Sequence, residues 1–118
     1  MAKTITRDEL HSKIERGDDF VLLETLPPKS FRNGHLPGAR NLPVEEIGRR
    51  ASELIPSADS EVVVYCASRS CDASEKAAKK LEDLGYENVY DYLDGKADWK
   101  EAGLPMETPE EAASGAGN

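Results

Sequence analysis

Two cysteines, Cys66 and Cys71, are the residues in this sequence whose type and spacing suggest chemistry. Two thiols this close together, in a chain with no other cysteine, favour thiol chemistry over a disulfide framework. The second thiol can attack a persulfide or a sulfenic acid formed on the first, which closes a disulfide. A zinc site is disfavoured because two cysteines fill only half of a tetrahedral site, and His11 and His35 lie on unrelated segments.

The sequence around the cysteines predicts a strand, a tight loop and a helix. The apolar run 61–65 is typical of a buried strand, Cys66 follows it directly, and Asp72-Ala73-Ser74-Glu75 has the form of a capping box. Loop amides, the helix dipole and the charge of Arg69 would favour a thiolate there. We therefore expect the pKa of Cys66 to lie below the ~8.5 of a free cysteine. Position alone leaves open that Cys66 is a core residue and that Cys71 packs inward as a small apolar side chain.

Helices and strands alternate along the rest of the chain. Apolar periodicity, capping signals and glycine stops predict helices over about 7–16, 43–55, 72–84 and 96–102. Apolar runs bounded by turn residues predict strands over 20–23, 39–42, 61–65 and 88–93. This alternation indicates an α/β domain with a mostly parallel sheet, and 118 residues suffice for one such domain. Ligands of parallel sheets bind beyond the carboxyl ends of the strands, where Cys66 is expected.

The net charge of the chain limits the classes of partner that it is expected to bind. A net charge of −8 has the wrong sign for binding nucleic acid or anionic lipid, although two basic stretches, 29–50 and 66–80, offer a local site for a small anion. No apolar run approaches the ~20 residues of a membrane span, and the first ten residues have no signal-peptide core. We therefore predict a cytoplasmic protein with neither nucleic acid nor membrane as its partner.

Two ring side chains are interpreted as structural. Trp99, alone in a short predicted helix, is typical of a residue that plugs the core over a sheet edge. His35 lies in the glycine-rich loop 33–38 and is interpreted as shaping that loop, because a cysteine that is already ionised needs no base.

Six segments, taken in their order and spacing, carry a family resemblance: Phe20–Glu24, Gly34–Pro43, Val62–Cys66, Ala77–Leu81, Leu84–Tyr90 and Asp94–Pro105. Over about residues 5–106 the chain is similar to the rhodanese family of sulfurtransferases. The resemblance implies one rhodanese-like domain over residues 1–106, with a five-stranded, mostly parallel sheet flanked by helices on both faces. Residues 107–118 are predicted to form an acidic, Gly/Ala-rich, flexible tail.

The resemblance places Cys66 at the family's catalytic position. Such a cysteine takes a sulfane sulfur from thiosulfate or a persulfide, holds it as a persulfide and passes it to a thiophilic acceptor, without a cofactor. The implied partners are a small sulfur-containing anion, a low-molecular-weight thiol, or a protein that donates or accepts sulfur. The expected site residues are Cys66, the candidate resolving thiol Cys71, the substrate-binding loop residues Ala67, Ser68, Arg69, Ser70 and Asp72, and the further contacts Arg32 and Lys96.

The sequence departs from the family pattern at the positions that bind the anion. The family loop resembles Cys-x-x-Gly-x-Arg, whereas here Arg69 stands at the glycine, Cys71 at the arginine, and Glu24-Thr25-Leu26 replaces Asp-x-Arg. Two alternatives to a sulfurtransferase therefore stay open: a dithiol redox protein that cycles a Cys66–Cys71 disulfide, and a rhodanese-like binding module without turnover. A Cys-x5-Arg phosphatase is disfavoured because Asp72, at the arginine position, would repel a phosphate dianion.

Overall fold

Within residues 2–108, the part of the chain that the computed structural model describes, five strands form one sheet. The strands are β1 (Lys3–Thr4), β2 (Val21–Glu24), β3 (Arg40–Asn41), β4 (Glu61–Tyr65) and β5 (Asn88–Tyr92). Their order is β1-β5-β4-β2-β3, and every neighbouring pair is parallel. The predicted α/β fold with a five-stranded parallel sheet is confirmed.

Helices connect the strands and cover the sheet. They are α1 (Arg7–Arg16), α2 (Pro28–Asn33), the 3₁₀ turn Val44–Glu46, α3 (Ile47–Leu54), α4 (Ala73–Asp83) and α5 (Gly95–Glu101). Among the described residues, no helix is long and apolar enough to cross a membrane.

The side chains of β4 divide the core into two layers, because successive residues of a strand point to opposite faces. Val62 and Val64 pack in the layer that contains the apolar residues of α3 and α4. Val63 and Tyr65 pack in the opposite layer, which Leu10 of α1 and Trp99 of α5 complete. Helices therefore cover both faces of the sheet, as predicted. The carboxyl end of β4, which leads to Cys66, lies between the two core layers.

The first helix confirms the capping signals of the sequence. The Thr6 hydroxyl accepts a hydrogen bond from the Glu9 amide at 3.1 Å, and the Glu9 carboxylate accepts one from the Thr6 amide at 2.9 Å. Gly17 ends the helix at a φ of 69°, in the left-handed region. Both ends of α1 are thus set by local chemistry.

The structure departs from the sequence predictions at three places. Helix α2 was not predicted; it begins with Pro28 at its first turn, but it is six residues long and has no buried residue, so it leaves no apolar periodicity. Asp72 does not cap α4 with its side chain, whose carboxylate pairs with Lys76 at 3.4 Å instead. Helix α4, predicted to extend to residue 84, ends at Asp83, and Leu84 is 54% exposed.

The carboxyl-terminal part of the described chain returns to the body of the fold. Trp99 is fully buried and donates its indole N–H to the Pro105 carbonyl at 2.8 Å, which confirms it as a core residue. His35 and Glu107 form a backbone bridge, and the imidazole stacks on Phe31 with ring centroids 3.8 Å apart. The predicted tail begins at this bridge; its residues 109–118 lie outside the described part, and their flexibility stays a prediction.

Candidate active site

Cys66 lies at the carboxyl end of the central strand, where the chain leaves β4 for the loop that leads to α4. It is 1% exposed. Its Sγ is 3.3 Å from the Cys71 carbonyl oxygen, 3.5 Å from Oγ of Ser74 and 3.8 Å from the Ser68 carbonyl oxygen. Because two of these three groups are carbonyls, which only accept, the sulfur is held in its protonated form, as a thiol that donates.

The pKa of Cys66 contradicts the prediction of a lowered value. Burial raises the pKa of this thiol, and the hydrogen bond that it donates to the Cys71 sulfur raises it further. The hydroxyl and the backbone amide of Ser74 oppose the rise without cancelling it. The prediction failed because the donors expected around Cys66 are directed elsewhere.

Cys71 receives the amides that the sequence assigned to Cys66. Burial alone would raise its pKa, but hydrogen bonds from the Cys66 thiol and from the amides of Ala73 and Ala67 outweigh it and lower the pKa. Its own amide donates to the Ser68 carbonyl at 3.0 Å, which closes the loop into a turn. The amides of Ala67 and Ala73 thus form a small cradle, and the sulfur of Cys71 lies in it.

Arg69 does not supply the positive charge expected at the sulfur. Its Nε donates to Oδ1 of Asp94 at 2.9 Å, and its side chain is 73% exposed. Asp94 stands 25 residues further along the chain, so this partner could not be read from the loop itself. The Arg69 charge is compensated at the surface, outside the cradle.

The start of α5 holds the Cys66 loop in place through two backbone hydrogen bonds. The amide of Lys96 donates to the Cys66 carbonyl at 2.9 Å, and the amide of Ala97 donates to the Ala67 carbonyl at 2.8 Å. Gly95 has a φ of +70°, and a Cβ there would lie 2.7 Å from the Cys66 carbonyl oxygen and 2.8 Å from the Ser68 nitrogen. Only glycine allows the backbone at position 95 to come this close to the backbone of the Cys66 loop. The sequence indicated a turn at Asp94-Gly95 but gave no sign of the contact.

The side chain of Lys96 belongs to a buried ion pair. Its Nζ is 2.9 Å from Oε1 of Glu24, which is fully buried, and it also donates to the Ser30 carbonyl at 3.0 Å. The Tyr65 hydroxyl donates to the same Glu24 oxygen at 2.9 Å. The ammonium is therefore held by two groups of the fold, and a contact of Lys96 with substrate stays a prediction.

The other predicted site residues lie on or near the surface of the loop. Ser68 and Ser70 join their hydroxyls at 3.0 Å. Arg32 lies exposed in the last turn of α2. Contacts of these side chains and of Asp72 with a substrate stay predictions.

Sequence reasoning missed two buried residues that reach the site from the core. Ser74, 1% exposed, contacts the Cys66 sulfur, and its hydroxyl acts to lower the pKa of the Asp91 carboxyl. Asp91 is 4% exposed, and burial raises its pKa. The signal available was an acid between two tyrosines in a predicted strand, which does not reveal a link to α4. Within residues 2–108 no three His, Cys, Asp or Glu side chains are grouped to hold a metal ion.

Comparison with known proteins decides the family. The model of the "Rhodanese-like domain" family matches residues 6–102. The chain belongs to this family. The rhodanese-like domain is 34% identical over 110 residues to a protein named "Sulfurtransferase" from Allochromatium vinosum, and the match covers 93% of this chain and 99% of that protein. Family and relative together support sulfur transfer as the general activity, with Cys66 and Cys71 close together in its loop.

Two further similarities concern the context and the fold of the domain. It is 36% identical over 103 residues to the HTH-type transcriptional regulator Rv0324 of Mycobacterium tuberculosis, and that match covers 87% of this chain but 44% of the regulator. The crystal structure of the BH2092 protein from Bacillus halodurans superposes with a TM-score of 0.83 at 20% identity, covering 91% of this chain and 77% of the other. The structural likeness shows the fold.

Proposed function

We propose that this rhodanese-like domain is a sulfurtransferase in which Cys66 carries the sulfur. The observation that carries the proposal is the position of Cys66 at the carboxyl end of β4, where its sulfur lies 3.3 Å from the Cys71 carbonyl oxygen of the loop. The Cys66 thiolate attacks the outer sulfur of thiosulfate, an Sγ–S bond forms, and sulfite leaves with the electron pair of the broken S–S bond. An acceptor nucleophile then attacks the outer sulfur, and the Cys66 thiolate leaves.

The cradle gives the transferred sulfur a place to bind. A persulfide on Cys66 adds one sulfur atom beyond Sγ, and the amides of Ala67 and Ala73 are suited to the negative charge of that atom. Before the reaction, the sulfur of Cys71 accepts hydrogen bonds from these two amides. Loading of Cys66 therefore requires the Cys71 sulfur to leave the amides, and we expect its replacement by serine to speed the loading.

Intact-mass spectrometry after incubation with a donor tests the proposal. The full chain, Cys66→Ala and Cys71→Ser are each treated with thiosulfate and, separately, with a low-molecular-weight persulfide. We expect one added sulfur on Cys71→Ser and none on Cys66→Ala. If neither donor adds sulfur to Cys71→Ser, the proposal is wrong, and a binding module without turnover becomes the better description.

The mutual influence of the two thiols supports a second candidate, a dithiol redox protein. Each thiol shifts the pKa of the other, in opposite directions, and Sγ of Cys66 is 3.3 Å from the carbonyl oxygen of Cys71. When Cys71 attacks Sγ of a persulfidated Cys66, a Cys66–Cys71 disulfide forms, and the outer sulfur leaves as HS⁻ with the proton of the thiol. A dithiol reductant of the thioredoxin class must then supply two electrons to reopen the disulfide.

Release of sulfide separates the two candidates. After one equivalent of donor, the dithiol candidate predicts that the full chain loses two hydrogens in mass and releases sulfide without any added acceptor. Cys71→Ser is the matched control and must retain the sulfur. A full chain that holds a stable persulfide and forms no internal disulfide excludes the redox cycle.

A further inference from the structure

Two stretches of the chain without acidic residues meet at the edge of the sheet that holds Cys66. Residues 25–44 contain no Asp or Glu, although the chain has 23 of them, and the next longest such stretch is 62–71, which includes Cys66. The first stretch follows β2 and the second contains most of β4 and the loop after it, and these two strands are parallel neighbours. Negative charge is therefore scarce at this edge of a chain whose net charge is −8.

One lysine links helix α2, within the first stretch, to Cys66. The amide of Lys96 donates to the Cys66 carbonyl at 2.9 Å, and its Nζ donates to the Ser30 carbonyl of α2 at 3.0 Å. The two carbonyls are thus separated by the length of one lysine residue. Helix α2 therefore borders the loop that carries the reactive sulfur.

The exposed surface of α2 carries two cations without a counter-charge. Lys29 and Arg32 are three residues apart in the helix, so their side chains are neighbours on its surface. Both are exposed, and within residues 2–108 neither side chain has a hydrogen bond or an ion pair. Since α2 has no buried residue, packing of the core does not account for these two charges.

Two acids that flank the Cys66 loop do not neutralise α2. Asp94 pairs with Arg69 at 2.9 Å, and Asp72 pairs with Lys76 at 3.4 Å. Each of these carboxylates has a cation of its own. The positive surface of α2 is thus left for an anion from outside the described chain.

We propose that Lys29 and Arg32 dock an acidic segment of a protein that exchanges sulfur with Cys66. An anion small enough to enter the loop cannot contact the sulfur and both α2 side chains at once, because α2 lies a lysine length away. An extended segment with several carboxylates spans this distance while its reacting group lies at Cys66. A nucleic acid is excluded as the occupant because a net charge of −8 repels a long polyanion.

Amide chemical shifts of the full chain test the docking directly. The labelled protein is titrated with a peptide of glutamate and glycine and, separately, with the same peptide carrying glutamine for each glutamate. At about 0.15 M salt the Debye length is about 8 Å, so distant acids of the chain contribute little. We expect shifts over 28–33 and 66–71 with the glutamate peptide alone. No shifts, shifts centred elsewhere, or the same shifts on concentrating the protein without peptide, which indicate a second copy, overturn the inference.

The rate of disulfide exchange tests whether docking serves Cys66, and this part rests on the reactivity proposed above. In Cys71→Ser, Cys66 is the single thiol. Each peptide carries a cysteine joined to 2-thiopyridine; the Cys66 thiolate attacks the peptide sulfur, and 2-thiopyridone leaves with the electron pair of the broken S–S bond. We predict a rate about tenfold higher for the glutamate peptide. This ratio falls to about twofold or less in Lys29→Gln/Arg32→Gln and at about 1 M salt.

A matched pair of lysines controls for net charge. Lys80 and Lys100 are exposed, have no ion pair within the described residues, and lie in the last turns of α4 and α5, away from the loop at which both helices begin. Lys80→Gln/Lys100→Gln must therefore keep the ratio. An equal fall in both double variants, or a parent ratio of one, overturns the inference. A Cys66 that reacts with neither peptide contradicts the proposed reactivity, and the amide shifts then decide the docking by themselves.

Discussion

The ammonium of Lys96 lies 2.9 Å from a carboxylate oxygen of Glu24, whose side chain is fully buried and accepts a hydrogen bond from Tyr65, the residue before Cys66. The pair joins the start of α5 to the end of β2. The amide of the same lysine binds the Cys66 carbonyl. Lys96 thus helps to fix the backbone of Cys66 through its amide while its side chain pairs with Glu24.

Removal of the lysine leaves a buried carboxylate without its counter-charge. We predict that Lys96→Met lowers the free energy of unfolding by about 3 kcal/mol. The double variant Lys96→Met/Glu24→Gln, in which the charge is also removed, recovers a large part of this loss. Urea unfolding measures both values. A Lys96→Met variant as stable as the parent would show that the pair contributes nothing to the fold.

Gly95 is expected to tolerate no side chain. Gly95→Ala places a Cβ 2.7 Å from the Cys66 carbonyl oxygen, whereas Gly17→Ala, at nearly the same φ of +69°, meets no atom within 4 Å. Gly17→Ala therefore measures the backbone cost alone, about 1 kcal/mol. Gly95→Ala must lower the free energy of unfolding by at least about 2 kcal/mol more than Gly17→Ala does, because the backbone of the Cys66 loop has to move. Equal losses in thermal and urea unfolding would contradict the close approach.

The raised pKa of Asp91 makes a prediction about stability and pH. A carboxyl whose pKa is higher in the folded than in the unfolded state stabilises the fold only while it is protonated, and this contribution is lost as the pH rises through its folded pKa. Asp91→Asn should therefore be more stable than the parent at neutral pH, and this advantage should disappear below the ordinary pKa of aspartate. An advantage that is the same at both pH values would show that charge is not its source.

We expect Arg69 to contribute little to the stability of the fold or to the rate of persulfide formation on Cys66. Its own side chain is 73% exposed and that of its partner Asp94 is 40% exposed, and solvent-accessible ion pairs contribute less than about 1 kcal/mol. We predict that Arg69→Gln changes the rate of persulfide formation from thiosulfate by less than about threefold. A drop of tenfold or more in single-turnover loading would mean that Arg69 leaves Asp94 to bind the donor.

The fold and the position of Cys66 follow from local signals. The apolar run of β4, the capping box at Thr6 and the glycine stop at Gly17 each act within a few residues, and the structure contains all three. Such signals need no knowledge of tertiary contacts. The element order that they predict places the carboxyl end of β4 at the site.

The electrostatics of the site depend on partners that are distant in the chain. Arg69 is bound by Asp94, and the Cys66 sulfur contacts Ser74 of α4, eight residues further along the chain. The direction of the loop amides is set by a turn closed from Cys71 to Ser68. Because the sequence shows which groups are near in the chain and not where each donor points, the pKa of Cys66 was predicted with the wrong sign.

The central claim is that Cys66, and not the more acidic Cys71, carries the transferred sulfur. Trypsin cuts after Arg69 and so separates the two cysteines into the peptides 51–69 and 70–76. After the full chain and Cys71→Ser are loaded with a sulfane-sulfur donor and the persulfide is trapped by alkylation, mass spectrometry locates the extra sulfur. The account predicts it on peptide 51–69 of Cys71→Ser. An extra sulfur found on peptide 70–76 of the full chain, with none on peptide 51–69 of either protein, would contradict the account.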